Sequence, residues 1–381
     1  MTGTAAANPA AATASVAGSR RIPLRAMLLA PAGVALLSGV DAALILLGLP
    51  APVTAERLPE VHGMLMVLGF LGTLVALERA VALARRAGYV SPALLGLGGL
   101  LLLGPLPLVV GRYVLVAGAA ALVGLYVPLW RRQRDDAVLV QALGAVAAVG
   151  AAVLWLGGVP VATLLPWLVG FVVLTIAGER LELARIGMGA SAGPVLVALA
   201  SALLAAIVAA LLWATAGTAL LGLVLVGLTG WLATHDVARR TVRTTGLPRY
   251  TAWCLLAGYA WLAVAGAVWL VGGPAAEGVR YDAVVHATFL GFAISMVMAH
   301  APVILPAVLR RPLPYHPALY APVCLLHGSL ALRLWVGDAL GSQAAWVTGG
   351  VLNIAALLSF AAVAAWSAST AADPRRVRTH P

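Results

Sequence analysis

Long apolar stretches run along almost the whole chain and are interrupted at charged residues, prolines and glycines. Cutting the sequence at these interruptions gives twelve segments of about 19 to 27 residues, each long enough to cross the ~30 Å hydrocarbon core of a bilayer. The pattern predicts an all-α polytopic membrane protein with a bundle of twelve transmembrane helices. The predicted spans are 26–49, 60–84, 90–110, 112–130, 137–157, 162–184, 192–214, 216–234, 250–272, 281–306, 315–338 and 341–367.

These spans define one transmembrane domain over residues 26–367. Residues 1–25 begin with a tract rich in Ala, Thr and Ser, which predicts a disordered cytoplasmic arm. Residues 368–381 contain three arginines and predict a basic cytoplasmic tail. The third and fourth spans are separated only by Gly111-Arg112, where we place their boundary.

A Gly-Phe pair recurs inside spans two, six and ten, and an ionisable residue follows eight positions after each Phe. A four-helix unit used three times would place the copies in these spans. Ionisable groups in hydrocarbon are expensive, so each copy marks a candidate functional residue. The three copies are Gly69-Phe70 with Glu78, Gly170-Phe171 with Glu179, and Gly291-Phe292 with His300.

Composition excludes a soluble protein. Of the 381 residues, 62% are hydrophobic and only 10% charged, with a mean hydropathy of +1.01. So few charges could not cover the surface of a globular domain of this length. The net charge of +11 comes from arginines that cluster in alternate loops and in both tails, which membrane topology explains better than nucleic-acid binding. The positive-inside rule predicts that both termini are cytoplasmic. All 24 basic residues are Arg, which together with abundant Ala, Gly, Val and Leu indicates a GC-rich bacterial genome and hence a bacterial inner membrane.

Two histidines at similar depth are the first candidates for cofactor binding. His62 precedes Phe70 by eight residues and His286 precedes Phe292 by six, so superposed repeats would place them only ~3 Å apart in depth, near the outer face. Imidazoles from opposite sides of a bundle suit axial ligation of a haem b. The alternative is that each is an interfacial residue bonded to a carbonyl or water.

Two further histidines provide candidates for a second site. His300 lies ~21 Å further along the same helix as His286, too far to share one haem. His327, on the next helix, lies between them in depth. Each is a candidate ligand of a second haem or of copper, or part of a proton relay. Alternatively, His327 pairs with Ser329 or with a backbone group.

Charged residues within or beside the spans have either structural or functional interpretations. Arg333 is a candidate partner of a haem propionate, of Asp41 or of Asp338. His235-Asp236, at the end of the eighth span, predicts a solvated interfacial pair.

The inner ends of spans two and six carry Glu-Arg pairs. One interpretation is interfacial ion pairs with arginines that extend to the membrane surface. The other is a proton route from the cytoplasm on which the acidic residues converge with His300. The residues concerned are Glu78, Arg79, Glu179 and Arg180.

Four methionines flank these histidines. Thioether and imidazole together form a soft ligand set that suits Cu(I), which makes copper a second candidate cofactor. Methionine also fills gaps in ordinary cores. The methionines are Met64, Met66, Met296 and Met298.

The chain resembles haem–copper oxidase subunit I distantly, in having twelve helices with histidines on helices two and ten. It more closely resembles the NnrS family of bacterial haem- and copper-containing membrane proteins. That resemblance is carried by His62-Gly63-Met64-Leu65-Met66 before Gly69-Phe70, by the stretch from His286 to Met296, and by Arg311-Pro312-Leu313. The resemblance implies a role in handling or sensing nitric oxide and other nitrogen oxides.

The resulting hypothesis is a haem-binding inner-membrane protein that handles nitrogen oxides, or that carries electrons from a quinol or cytochrome through a bis-histidine haem. If it is an enzyme, this predicts a haem-dependent oxidoreductase. The alternative is a membrane transporter, for example of Cu(I), with a methionine and histidine pathway. A third hypothesis is a cofactor-free scaffold of a membrane complex.

Overall fold

Twelve helices dominate the computed structural model, which describes residues 24–309 and 312–371. All regular structure in these residues is helical, and the twelve helices are long and apolar enough to cross a membrane, as predicted. We name them α1 to α12 in chain order. They are Leu24–Leu46, Arg57–Leu83, Arg86–Leu103, Leu108–Gln133, Asp136–Leu156, Val161–Arg185, Ala192–Leu212, Ala214–His235, Gly246–Gly272, Gly278–Val308, Pro317–Ala339 and Gln343–Thr370.

The predicted arm and tail fall largely outside the described residues. Residues 1–23, the arginines at 310 and 311, and residues 372–381 are not among them. Residues 368–370, assigned above to the tail, belong to the last turn of α12.

The predicted boundary between the third and fourth spans is wrong. α3 ends at Leu103 and α4 begins at Leu108, so the connection is Gly104-Pro105-Leu106-Pro107. Proline lacks a backbone N–H and interrupts a helix. Arg112 lies within α4, where its guanidinium carbon is 4.4 Å from the ring centroid of Trp155. Because the ring of Trp155 accommodates its charge, Arg112 can lie within a helix and does not mark a helix end.

The three helices that contain the Gly-Phe motif, α2, α6 and α10, are central to the bundle. In their most apolar stretches, 72% of the residues of α2, 72% of α6 and 67% of α10 are buried, against 22–56% in the other nine helices. α10 contacts both α2 and α6, and side-chain hydrogen bonds join α2 to α6. The three repeated motifs therefore meet around the middle of the bundle. Their grouping into three four-helix units stays a prediction.

Three helices depart from α-helical geometry near the candidate site. π-helical segments occupy Leu65–Gly72 in α2, Ala287–Ile294 in α10 and Leu332–Ala339 in α11. In α2 the hydroxyl of Thr73 donates to the carbonyl of Gly69, and in α10 Ser295 donates to Gly291 in the same way. π-helical turns are rare and occur frequently at functional sites. The histidines at 62 and 286 stand just before the first two segments.

Glycines allow several helices to pack closely, which matters because lipid gives little hydrophobic drive for helices to associate. One such close contact joins the backbones of α8 and α9. A Cβ added at Gly222 would lie 2.3 Å from the backbone nitrogen of Leu270 and 2.6 Å from the carbonyl oxygen of Gly266. Only glycine permits this approach.

We expect Gly222→Ala to lower the free energy of unfolding by about 1–3 kcal/mol, because the new methyl group must push two backbones apart. Gly227→Ala in the same helix is the matched control, since its Cβ would meet nothing within 4 Å. Denaturant titration in mixed micelles measures both variants. Equal stabilities for the two would contradict close packing at Gly222.

Candidate functional site

The two predicted cofactor histidines line one cavity. Residues of α1, α2, α6, α10, α11 and α12 surround it, and its cavity volume is about 100 Å³. Its wall is mostly aliphatic, with few polar side chains, as is typical of cofactor sites. These polar side chains are His62, Tyr281, His286, Arg333 and Asn353.

His286 is held by the residue one helical turn before it. Its Nδ1 lies 3.0 Å from the carbonyl oxygen of Asp282 and 3.2 Å from carboxylate Oδ1 of the same residue. With the proton on Nδ1, the ring donates to Asp282 and leaves the lone pair of Nε2 free. Histidines that bind metals are oriented by such a second partner.

Arg333 pairs with Asp282, so the predicted pairing with Asp41 or Asp338 is wrong. Its Nε donates at 2.8 Å and its second nitrogen at 2.7 Å to the two carboxylate oxygens of Asp282. The guanidinium carbon also lies 4.6 Å from the ring centroid of Trp346. Asp282 thus fixes both a histidine and an arginine at the cavity wall.

His62 differs from His286 in the surroundings of its Nδ1. Its Nδ1 is buried and finds no hydrogen-bond partner within the described part of the chain. The imidazole lies near that of His286. Neutral imidazole is the form of histidine that binds metals.

A second polar cluster lies further along α10, around His300. Arg180 makes a bidentate contact with Asp236 at 2.8 and 2.9 Å, and the hydroxyl of Tyr259 donates to Asp236 at 2.7 Å. The Nε2 of His300 is 3.3 Å from Arg180. His300 therefore belongs to an ion-pair network and does not line the cavity with His286.

The predicted solvated pair His235-Asp236 is wrong. Asp236 is fully buried, whereas His235 is exposed and stacks on Trp231. Burial alone would raise the pKa of Asp236, but hydrogen bonds and charge from Arg180 hold it below its ordinary value. Asp236 is thus the buried anion that compensates Arg180.

The two Glu-Arg pairs at the ends of α2 and α6 form different salt bridges. Arg79 binds Glu78 as well as Glu182 at 2.9 Å. Arg180 pairs with Asp236 rather than with the adjacent Glu179. Both arginines are buried, so the predicted extension to the membrane surface is wrong.

His327 does not pair with Ser329 or reach the cavity. Its Nδ1 accepts a hydrogen bond of 2.9 Å from Trp261, and its Nε2 lies 3.5 Å from the hydroxyl of Ser295. Ser329 instead donates to Asn353. With one ring nitrogen occupied by an indole, His327 fits a structural role.

The four methionines are not gathered into one site. Met66 lines the cavity, whereas Met64, Met296 and Met298 are buried in the core elsewhere. Among the described residues, no group of three or more His, Cys, Asp or Glu side chains is arranged to hold a metal ion.

Sequence reasoning missed several partners of these groups. Asp282 had a usable signal, because it precedes His286 by four residues and so shares its helix face. Gln141, which receives a 3.0 Å hydrogen bond from Arg79, and Asn353, whose side-chain nitrogen is buried without a partner in the described residues, had none. Their contacts come from distant helices.

The fold defines a multi-pass, all-helical membrane protein with a cavity that contains two histidines. The chain belongs to the family described as a domain of unknown function (DUF8744), whose model matches residues 25–369. A search of curated proteins found no match.

Asp236→Asn tests the buried ion pair around Arg180. Because the pKa of Asp236 is depressed in the folded protein, its stabilising contribution is present above the unfolded pKa of about 3.9 and is lost as the pH falls below that value. We expect the free energy of unfolding of the variant to be lower than that of the wild type by about 3 kcal/mol at neutral pH, because Arg180 is left buried without its counter-charge. Its deficit relative to the wild type should shrink below about pH 4.

The free energy of unfolding, measured in detergent at several pH values, checks this prediction. Glu277→Gln, at an exposed position, is the control. A deficit that stays constant with pH would contradict the assignment.

Proposed function

We propose that this protein binds a haem b between His62 and His286 and carries electrons through it in the bacterial cytoplasmic membrane. One observation carries the proposal: imidazoles from α2 and α10, far apart in the chain, line one largely apolar cavity together with Arg333. Two histidine ligands saturate haem iron and favour electron transfer, which is the chemistry that the bound group would supply.

The residues of the cavity fit this group. His286 presents a ring whose Nδ1 is occupied by Asp282, and His62 has a buried nitrogen without a partner in the described residues. Arg333 supplies a positive charge at the wall, suited to a propionate, while Asp282 keeps it compensated. Apolar side chains of α6, such as Leu165 and Leu168, exclude water.

The orientation belongs to the same proposal. Arginine clusters in alternate loops support cytoplasmic termini, and the even number of helices agrees with termini on one side. The two histidines then lie toward the outer face, where a quinol or an external cytochrome would exchange electrons with the haem.

Nitric-oxide binding is a second candidate function. The observation that favours it is the asymmetry of the two histidines: Asp282 holds His286, whereas the Nδ1 of His62 is unsupported. A weakly held ligand can leave iron open to a diatomic molecule. The resemblance to the NnrS family supports the same role. Nitric oxide added to the reduced protein should then shift the Soret band, whereas an unchanged band would favour electron transfer alone.

The purified protein should show a Soret band that is lost in His62→Ala and in His286→Ala, because each substitution removes an axial ligand. His235→Ala is the matched control, since His235 is exposed and outside the cavity. Absorption spectra of the detergent-solubilised variants provide the measurement. A colourless wild type that binds Cu(I) would support a transporter instead, and one that binds neither would support a scaffold.

Asp282→Asn should weaken haem binding by about 10- to 100-fold, because the partner that orients His286 loses its charge. The rate at which haem passes to an excess of apomyoglobin measures the loss. Glu277→Gln, an exposed substitution close to α10, controls for general effects. Equal transfer rates in wild type and Asp282→Asn would overturn the supporting role of Asp282.

A further inference from the structure

A second cavity lies between the start of α9 and the start of α11, at the end of the bundle opposite to His62 and His286. Its volume is about 320 Å³, which is comparable to that of the smaller pockets that bind ligands. Its wall is mainly polar and aromatic, so it suits a polar ligand better than an apolar one. The wall consists of Thr245, Gly246, Arg249, Trp253, Tyr315 and Tyr320.

The charge of this wall favours an anion. Arg249 is exposed and forms no salt bridge within the described residues. The described side chains of the wall include no acidic group that could compensate it. A guanidinium group donates two parallel hydrogen bonds to a phosphate, which makes phosphate a preferred partner of arginine.

Other groups of the wall can donate hydrogen bonds to the same anion. Tyr315 and Tyr320 are both partly buried and carry hydroxyl groups. The side chain of Thr245 does not cap α9, so N–H groups of its first turn, beginning at Gly246, remain available. The start of a long helix also favours negative charge. The wall thus combines one cation with several neutral donors.

A buried hydroxyl group behind this wall has no partner. Tyr250 is 0% exposed, and its ring centroid lies 5.9 Å from that of Tyr315 and 5.3 Å from that of Tyr320. Its hydroxyl finds no hydrogen-bond partner within the described residues. Buried polar groups are seldom left unsatisfied, and an oxygen that enters between the two wall tyrosines would supply the missing partner. This observation does not depend on Arg249, and it also favours a ligand that carries oxygen atoms.

The surroundings of the cavity favour a membrane lipid as the source of the phosphate. Trp253 is 50% exposed and lies one helical turn beyond Arg249 in α9. Tryptophan is enriched where the hydrocarbon core meets the headgroups. Basic pockets and clusters beside membrane helices attract anionic headgroups. The connection before α9 adds three exposed arginines, at positions 239, 240 and 243.

We propose that this cavity binds the phosphate of an anionic phospholipid. Arg249 pairs with the phosphate, the tyrosine hydroxyls and the first turn of α9 donate to its oxygens, and Trp253 packs against the start of an acyl chain. The bound lipid then holds α9 and α11 together at this end of the bundle. The site is independent of the proposed haem, because the two cavities share no described residue.

Lipid binding by the delipidated full-length protein in detergent tests the site, with native mass spectrometry as the measurement. We expect phosphatidylglycerol to bind about 10-fold more tightly than phosphatidylcholine, whose choline neutralises the phosphate charge. Arg249→Gln should weaken phosphatidylglycerol binding by about 10- to 100-fold, because it removes hydrogen bonds between charged groups. Arg249→Lys, which keeps the charge but not the fork, should restore part of the loss.

Arg240→Gln is the matched control, since Arg240 is exposed in the same basic connection but lies outside the cavity. It should weaken binding by only about fivefold or less, the contribution of one general surface charge. Equal losses in Arg249→Gln and Arg240→Gln would overturn the site. Displacement of the lipid by an equal concentration of inorganic phosphate would overturn the assignment to a lipid.

Fluorescence quenching locates the bound lipid. Brominated acyl chains quench nearby tryptophans, so brominated phosphatidylglycerol should quench the wild type more strongly than brominated phosphatidylcholine. This excess should be lost in Trp253→Phe and in Arg249→Gln. It should remain in Trp213→Phe, because Trp213 is exposed at the other end of the bundle. An excess that survives in Trp253→Phe would contradict the proposed position of the lipid.

Discussion

A buried ion in a membrane protein has no water to solvate it, so its counter-charge must come from another part of the bundle. Arg180 of α6 reaches Asp236 beyond α8, Arg333 of α11 reaches Asp282 of α10, and Arg79 of α2 reaches Glu182 of α6. Because lipid tails are as apolar as the helix surfaces, such contacts and close glycine packing fix helix positions that hydrophobicity leaves open. The same pairs shape both polar regions of the molecule.

Periodicity and charge were sufficient to predict the twelve helices, since span length depends only on bilayer thickness. The error at Gly111-Arg112 arose from treating an arginine as a boundary, although Trp155 of a neighbouring helix accommodates it. Partners were harder to predict. Asp236 follows an exposed histidine in the chain. Nothing in that local sequence indicates that Asp236 is buried and paired with an arginine of α6.

The two polar regions are separated by a barrier of aromatic and aliphatic side chains. The phenylalanines of the three repeats, at 70, 171 and 292, are all buried. Between the two histidines of α10, the hydroxyl of Ser295 donates its hydrogen bond to the carbonyl of Gly291 in the same helix. Among the described residues, no continuous chain of hydrogen-bonded side chains therefore joins the cavity to the ion-pair network around His300.

The repeat also explains why the cavity has two histidines and not three. His62 stands eight residues before Phe70 and His286 six before Phe292, whereas Thr163 stands eight before Phe171. α6 instead contributes Val161, Leu165 and Leu168 to the cavity wall. At the opposite end all three helices carry ionisable residues at the repeated position. One pattern thus places two histidines in a mostly apolar cavity toward one end of the central helices and a dense cluster of charged residues toward the other.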